Sequence, residues 1–201
     1  MSLFTALPLA VVMVAGPQLL SAIFLATSEQ WGRNSAAYLV GATLAISVVV
    51  TAAYVLATGT RSVGASNAGL TWVVVSLLVV AAGNVYRTRE TAEPPAWMGK
   101  LTGATPRFAF RLGFLLLGFF PTNAFTSVAV GTALSSEGAP LLDAAGFLLV
   151  TLLLLALPAL TVVALGERGE QFLPEVRDWM TDNAWIVNEI VIAVFIVLTL
   201  T

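Results

Sequence analysis

Two prolines, Pro17 and Pro121, sit inside apolar runs and are each followed at once by polar side chains. After the first come Gln18 and Ser21; after the second come Thr122, Asn123 and Thr126. Gln18 and Ser21 are three residues apart, as are Asn123 and Thr126, so each pair shares one helix face. A proline interrupts a helix because it lacks the N–H and its ring clashes with the preceding turn. In a bilayer no water replaces the lost bond, so such a break survives only against neighbouring helices or a cavity. The half-helix N-terminus it creates has free N–H groups and the positive end of a dipole, a place to hold an anion. Two proline-broken spans at corresponding places in two halves of a chain point to a transporter's binding site. The residues expected to bind substrate are therefore Pro17, Gln18, Ser21, Pro121, Thr122, Asn123 and Thr126. For Ser21 and Thr126 a structural use competes, since intramembrane hydroxyls often serve as hydrogen-bonding glue between helices.

A second set of candidates would handle charge. Glu189 precedes Thr201 by twelve residues (201 − 189), ~18 Å of helix. A span that ends there and crosses ~30 Å of hydrocarbon places this carboxyl inside the apolar layer. An ionisable group in that position carries a proton, binds a cation or pairs with an arginine. The competing reading is a shorter, tilted span whose carboxylate snorkels to the interface. Arg111 is the candidate partner for Glu189, or else an interfacial anchor. Asn84 and Asn188 are weaker candidates of the same kind, and Asp143 is expected to cap the helix after it.

These residues need membrane helices to position them. Of 201 residues, 58% are hydrophobic and 10% charged, against roughly 25% charged in a soluble domain. The fold class expected is all-α and polytopic in a membrane. The chain has no cysteine and no histidine, which excludes disulfides, thiolate chemistry and the usual general base. An enzyme is not expected, nor a metal, cofactor or nucleic-acid partner.

Six apolar runs can be marked, roughly 3–26, 36–57, 69–86, 108–134, 141–165 and 182–201. Each approaches the ~20 residues that span a bilayer. Met1-Ser2-Leu3 offers no positive segment of the kind that begins a signal peptide. Arg33, Arg87, Arg89, Lys100, Arg107, Arg111, Arg168 and Arg177 fall on one side of this arrangement and Arg61 alone on the other. Basic residues favour the cytoplasm, so the first, third and fifth loops are expected inside and both termini outside. The stretch 87–107, with Pro94-Pro95, divides the chain into residues 1–86 and 108–201, three spans each. An odd number of spans per half requires the two halves to be inverted repeats. Pro17 and Pro121 then fall together, Gly41 and Gly146 come after them at nearly equal distance, and Trp72 and Trp185 open the third span of each half. Between spans five and six, Phe172, Leu173, Val176, Trp179 and Met180 recur at helical spacing opposite acidic residues. This predicts an interfacial amphipathic helix over about 170–182, with Pro174 in its first turn.

The motifs also carry a resemblance. Gly16-Pro17, Pro95-Ala96-Trp97-Met98, Thr105-Pro106-Arg107, Leu112-Gly113 and Pro121-Thr122-Asn123 resemble the lysine-exporter (LysE) superfamily of six-span transporters. Within it the chain looks closest to the GAP, or peptidoglycolipid-addressing protein, family, which is Sap-like. The family's fourth span usually reads Asn-Pro-Lys-Asn; here the segment is Phe120-Pro121-Thr122-Asn123, without the lysine. The resemblance implies export of amino acids, metal ions or cell-envelope glycolipids.

The function expected is a plasma-membrane exporter of a small, amphipathic or lipid-linked solute, working by alternating access at a midplane site between spans one and four. The alternative is a non-transporting helper subunit of a lipid or cell-envelope export machine. Membrane lipid and the substrate are the expected partners, with a homo-oligomer left open.

Overall fold

The computed structural model describes residues 3–62 and 103–183. Among them the structure is all-helical, without strands: α1 (Leu3–Val14), α2 (Pro17–Ala26), α3 (Trp31–Ser62), α4 (Pro106–Phe119), α5 (Pro121–Glu137), a 3-10 turn (Leu141–Asp143), α6 (Ala144–Leu165) and α7 (Glu167–Asp182). The runs expected as spans three and six lie outside the described residues, α7 and Asn183 aside. With them go most of the central loop, Trp72, Trp185, Asn84, Asn188 and Glu189.

Two segments, Trp31–Gly59 and Leu141–Leu165, are long and apolar enough to cross a membrane unbroken. Two more qualify as bent pairs: Leu7–Val14 with Pro17–Ala26, bent by 71°, and Pro106–Phe119 with Pro121–Glu137, bent by 64°. The described residues therefore supply two spans, or four if each bent pair is one span.

Both bends fall where proline dictates. Pro17 and Pro121 each occupy the first turn of the helix after the break, where a missing N–H costs nothing. The residue before a proline is driven out of the helical region. Phe120 accordingly turns extended, at φ −65 and ψ 130. Gly16 takes φ 96 and ψ −139, a conformation open to glycine and strained for other residues. Pro174 departs from expectation. α7 starts at Glu167, directly after the Gly166 turn, so Pro174 lies inside the helix. Leu173 and Met180, buried against Ile23 of α2 and Val162 of α6, hold α7 in place on either side of that proline.

The packing exchanges partners. α3 lies along α4 and α5 and α6 lies along α1 and α2, while α3 and α6 also touch each other. α1 also touches α5, and α2 touches α4; α7 crosses α2 and α6. α3 and the bent pair α4–α5 run in the same direction. Tyr38 meets Gly113, Ala45 meets Gly118 and Val50 meets Gly131, in rising order along α3 and along α4–α5. At the far end, Tyr54 OH donates to Ala139 O at 3.0 Å, and the hydroxyls of Thr58 and Ser135 lie 3.0 Å apart.

The α3–α4 contact is backbone on backbone. A Cβ on Gly41 would run into the Phe110 carbonyl, and one on Gly113 into the Tyr38 carbonyl. Lipid tails are as apolar as leucine, so close approach at small residues replaces the hydrophobic effect as the force joining membrane helices. The apolar faces point outward instead: Val40, Leu44 and Val48 on α3 and Leu149, Leu153 and Leu157 on α6 recur at every fourth position, exposed.

Gly113→Leu is expected to destabilise the protein by ~1–3 kcal/mol or more through overpacking. Gly146→Ala, where a Cβ meets nothing within 4 Å, should stabilise α6 by ~0.5–1 kcal/mol. Melting of the detergent-solubilised variants reads both. Equal melting temperatures would remove the α3–α4 contact as the determinant of packing.

Candidate functional site

At the start of α2, Gln18 is 1% exposed. Among the described residues neither its Nε2 nor its Oε1 has a hydrogen-bond partner. Its backbone carbonyl accepts from Tyr38 OH at 2.9 Å. Ser21, also buried, donates to Pro17 O at 2.6 Å. The hydroxyl is thus spent on its own helix, as Thr126 is on α5, donating to Thr122 O at 2.8 Å.

At the second break the freed backbone finds a substitute donor. In an unbroken helix, Leu116 O would accept from the N–H of residue 120 and Leu117 O from that of residue 121, which proline lacks. Here Asn123 Nδ2 donates to Leu116 O at 2.8 Å, across the bend. A carbonyl can only accept, so the amide nitrogen must face Leu116 and the amide oxygen must face away. That Oδ1 is buried and has no partner among the described residues. One turn on, Ser127 is fully buried and its Oγ likewise has no partner among the described residues. Thr122, in contrast, is exposed. Neither α2 nor α5 has a side-chain cap at its N-terminus.

Tyr38 joins the two breaks. Its hydroxyl holds Gln18 of α2, its carbonyl lies against Gly113 of α4, and Leu116, which Asn123 holds, is three residues further on. Residues from α1, α2, α3 and α4 around it form one buried core, including Met13, Leu25, Ala42, Leu116 and Leu117. At one edge of this core Asn34 Nδ2 donates to Ser28 Oγ at 2.8 Å and to Ala104 O at 2.9 Å. This clasp fixes the α2–α3 corner to the residues just before α4.

The charged candidates stand apart from this cluster. Arg111 is exposed on α4, and its expected partner Glu189 lies outside the described residues. Asp143 occupies the position before α6 but makes no capping hydrogen bond to it. On α7, Arg177 pairs with the neighbouring Asp178 at 2.6 Å and lies over the Phe24 ring, 5.0 Å from its centre. Among the described residues no group of three acidic, histidine or cysteine side chains could hold a metal ion.

Sequence reasoning misses Tyr38, Asn34 and Ser127. Tyr38 falls inside the apolar run 36–57 without a mark of its own, and Asn34 falls just before it. Only Ser127 carries a usable signal, since it lies four residues after Asn123 and so on its face.

What these elements define is a helical membrane protein with bent apolar spans and buried polar atoms that lack a partner among the described residues: those of Gln18, Asn123 and Ser127 beside the bends, and Asn34 Oδ1 and Ser35 Oγ at the start of α3. A family model described as Sap, sulfolipid-1-addressing protein (SfLAP), matches residues 6–201, and the chain belongs to that family. It is accordingly a membrane protein of a family tied to lipid export. No curated protein and no solved structure matches the chain.

Asn123→Ala should lower stability by ~1–3 kcal/mol, the cost of leaving the buried Leu116 carbonyl unpaired. Asn123→Asp should cost more, because a carboxylate oxygen would then face that carbonyl. Thermal unfolding in detergent distinguishes the three proteins, and coincident curves would show that the bend does not depend on this bond.

Proposed function

We propose that the protein is a membrane exporter of an amphipathic, lipid-linked molecule of the sulfolipid kind, working by alternating access around the two broken spans. The observation that carries this is Gln18. A buried amide with both polar atoms unpaired costs stability, and it lies at an uncapped half-helix N-terminus, the usual site of substrate contact in transporters with broken helices. Asn123 and Ser127 add a second set of unpaired oxygens beside the other bend. The family's link to a sulfolipid supports a lipid substrate.

The exchanged packing supports an inverted-repeat architecture of the LysE type. A two-fold axis that swaps the halves would carry α3 onto α6 and the pair α1–α2 onto α4–α5. The contacts obey that rule: α3 packs on α4–α5 and α6 on α1–α2, while α1 meets α5 and α2 meets α4. On this reading six spans cross the plasma membrane with both termini outside. The chain's lack of cysteine makes labelling clean. Glu137→Cys should react with an impermeant thiol reagent in intact cells and Gln171→Cys only after permeabilisation. Reaction of both from one side would overturn the topology.

The transport test uses Gln18→Met, which keeps length and removes the polar atoms. If Gln18 serves substrate, the variant melts at the same temperature as the wild type or higher, because an unsatisfied buried group is gone. Movement of a fluorescent sulfolipid between leaflets of proteoliposomes should fall about tenfold or more. Loss of stability with transport unchanged would make Gln18 structural. Absence of movement by the wild type, with one stoichiometric partner co-purifying, would favour the helper-subunit reading instead.

A further inference from the structure

A cavity of about 520 Å³ lies between α7 and the corner where α2 ends and α3 begins. It is lined by Ala26, Thr27, Ser28, Glu29, Trp31 and, from α7, Pro174. The corner is fixed in shape. Ser28 Oγ donates to Leu25 O at 2.7 Å and accepts from Asn34 Nδ2, while the Trp31 N–H donates to Ser28 O at 2.9 Å. Trp31 is half-buried, packed against the small core of Ile23, Ala26, Leu173 and Met180 that joins α2 to α7. Among the described residues Glu29 is the charged lining group, and it is exposed.

Three features of this lining select one sign of charge. α2 ends at the corner, and the carbonyls of a helix's last turn carry the negative end of its dipole. Thr27 and Ser28 take up the carbonyls of Ile23, Phe24 and Leu25. Those of Ala26 and Thr27 accept nothing among the described residues, and both residues line the cavity. Glu29 adds a carboxylate, and Trp31 brings the ring type that attracts cations best. A lone exposed carboxylate is screened and worth little, but a dipole end, a carboxylate and an indole around one cavity act together. An anion would be repelled. A bare metal ion is far smaller than the cavity, and among the described residues no group of three acidic, histidine or cysteine side chains stands ready to hold one. An alkyl chain would lie against Thr27, Ser28 and Glu29, half of the lining residues. We infer that this cavity binds an organic ammonium group, its charge against Glu29 and the end of α2 and its carbon atoms against Trp31 and Pro174. Trp31 opens a segment apolar enough to cross a membrane, which puts the site at the level of lipid headgroups. The ammonium is that of a membrane lipid or of a soluble amine. This site does not depend on the export reading.

The test has a lipid arm and a soluble arm, both on the full chain in neutral detergent. In the first, retention of phosphatidylethanolamine and of phosphatidylglycerol, which has no ammonium, is counted by native mass spectrometry. Glu29→Gln, at an exposed position, should cut retention of phosphatidylethanolamine about tenfold and leave phosphatidylglycerol unchanged; Glu29→Asp should keep most of the binding. In the second, melting is followed in ethanolammonium chloride against sodium chloride at the same ionic strength. A rise in melting temperature that Glu29→Gln removes, with no selective loss of lipid, assigns the site to a soluble amine. Selective loss of phosphatidylethanolamine without such a rise assigns it to the lipid headgroup. Either result supports the inference. Phosphatidylethanolamine retention and melting that are both untouched by Glu29→Gln would overturn it, and so would an equal fall in both lipids with no ethanolammonium effect. Trp31→Leu, which removes the ring and keeps an apolar contact, should weaken the wild-type response several-fold, and an undiminished response would also overturn the site as drawn.

Discussion

The arrangement depends on the contact between two backbones, α3 and α4, at Gly41 and Gly113. No water competes for polar groups in a bilayer and no hydrophobic effect drives apolar helices together, so packing must come from close approach. Once α3 lies this near α4, Tyr38 can reach the Gln18 carbonyl and the seam continues to Gly131. The bend between α4 and α5 is then held against a straight neighbour. A bent span with loose carbonyls would be intolerable facing lipid; against α3 it is tolerated.

The bends show how one residue type serves two ends. Proline sets the place of each break, but the two breaks treat their freed polar groups differently. At Pro121 the chain supplies its own replacement donor in Asn123, leaving one oxygen over. At Pro17 the amide of Gln18 is instead left with both polar atoms unpaired among the described residues. The hydroxyls of Ser21 and Thr126 are absorbed by carbonyls one turn back, which is the local bonding that serine and threonine adopt in membrane helices. The amides therefore carry the site's free hydrogen-bonding capacity, and the hydroxyl that adds to it is Ser127.

Much of this was legible in the residues. Helix breaks at Pro17 and Pro121, the buried Gln18 and Asn123, and an amphipathic helix near 170–182 come from local chemistry: a missing N–H, a polar side chain in an apolar run, a 3.6-residue period. The part that was not legible depends on contacts between distant segments. Nothing near Tyr38 announces that its hydroxyl meets a residue twenty positions earlier, and nothing near Asn34 announces Ala104, seventy positions later. Pro174 misled because a proline suits a first helical turn, while the true start was set by the Gly166 turn and by burial of Leu173 and Met180. Thr122, adjacent to a proline and polar, looked like its neighbour Asn123, yet it points to the surface.

The exchange of partners among the helices also bears on how the chain is made. α3 closes its core with helices synthesised well after it, and the bent pair α1–α2 finds its main neighbour only when α6 emerges from the ribosome. The early helices cannot be fully packed before the late ones are made. Through that interval α1 and α2 lack the helix they mainly pack on. Biogenesis of this protein thus calls for an insertion machinery able to shield an early, kinked and polar-bearing segment until its late partner arrives.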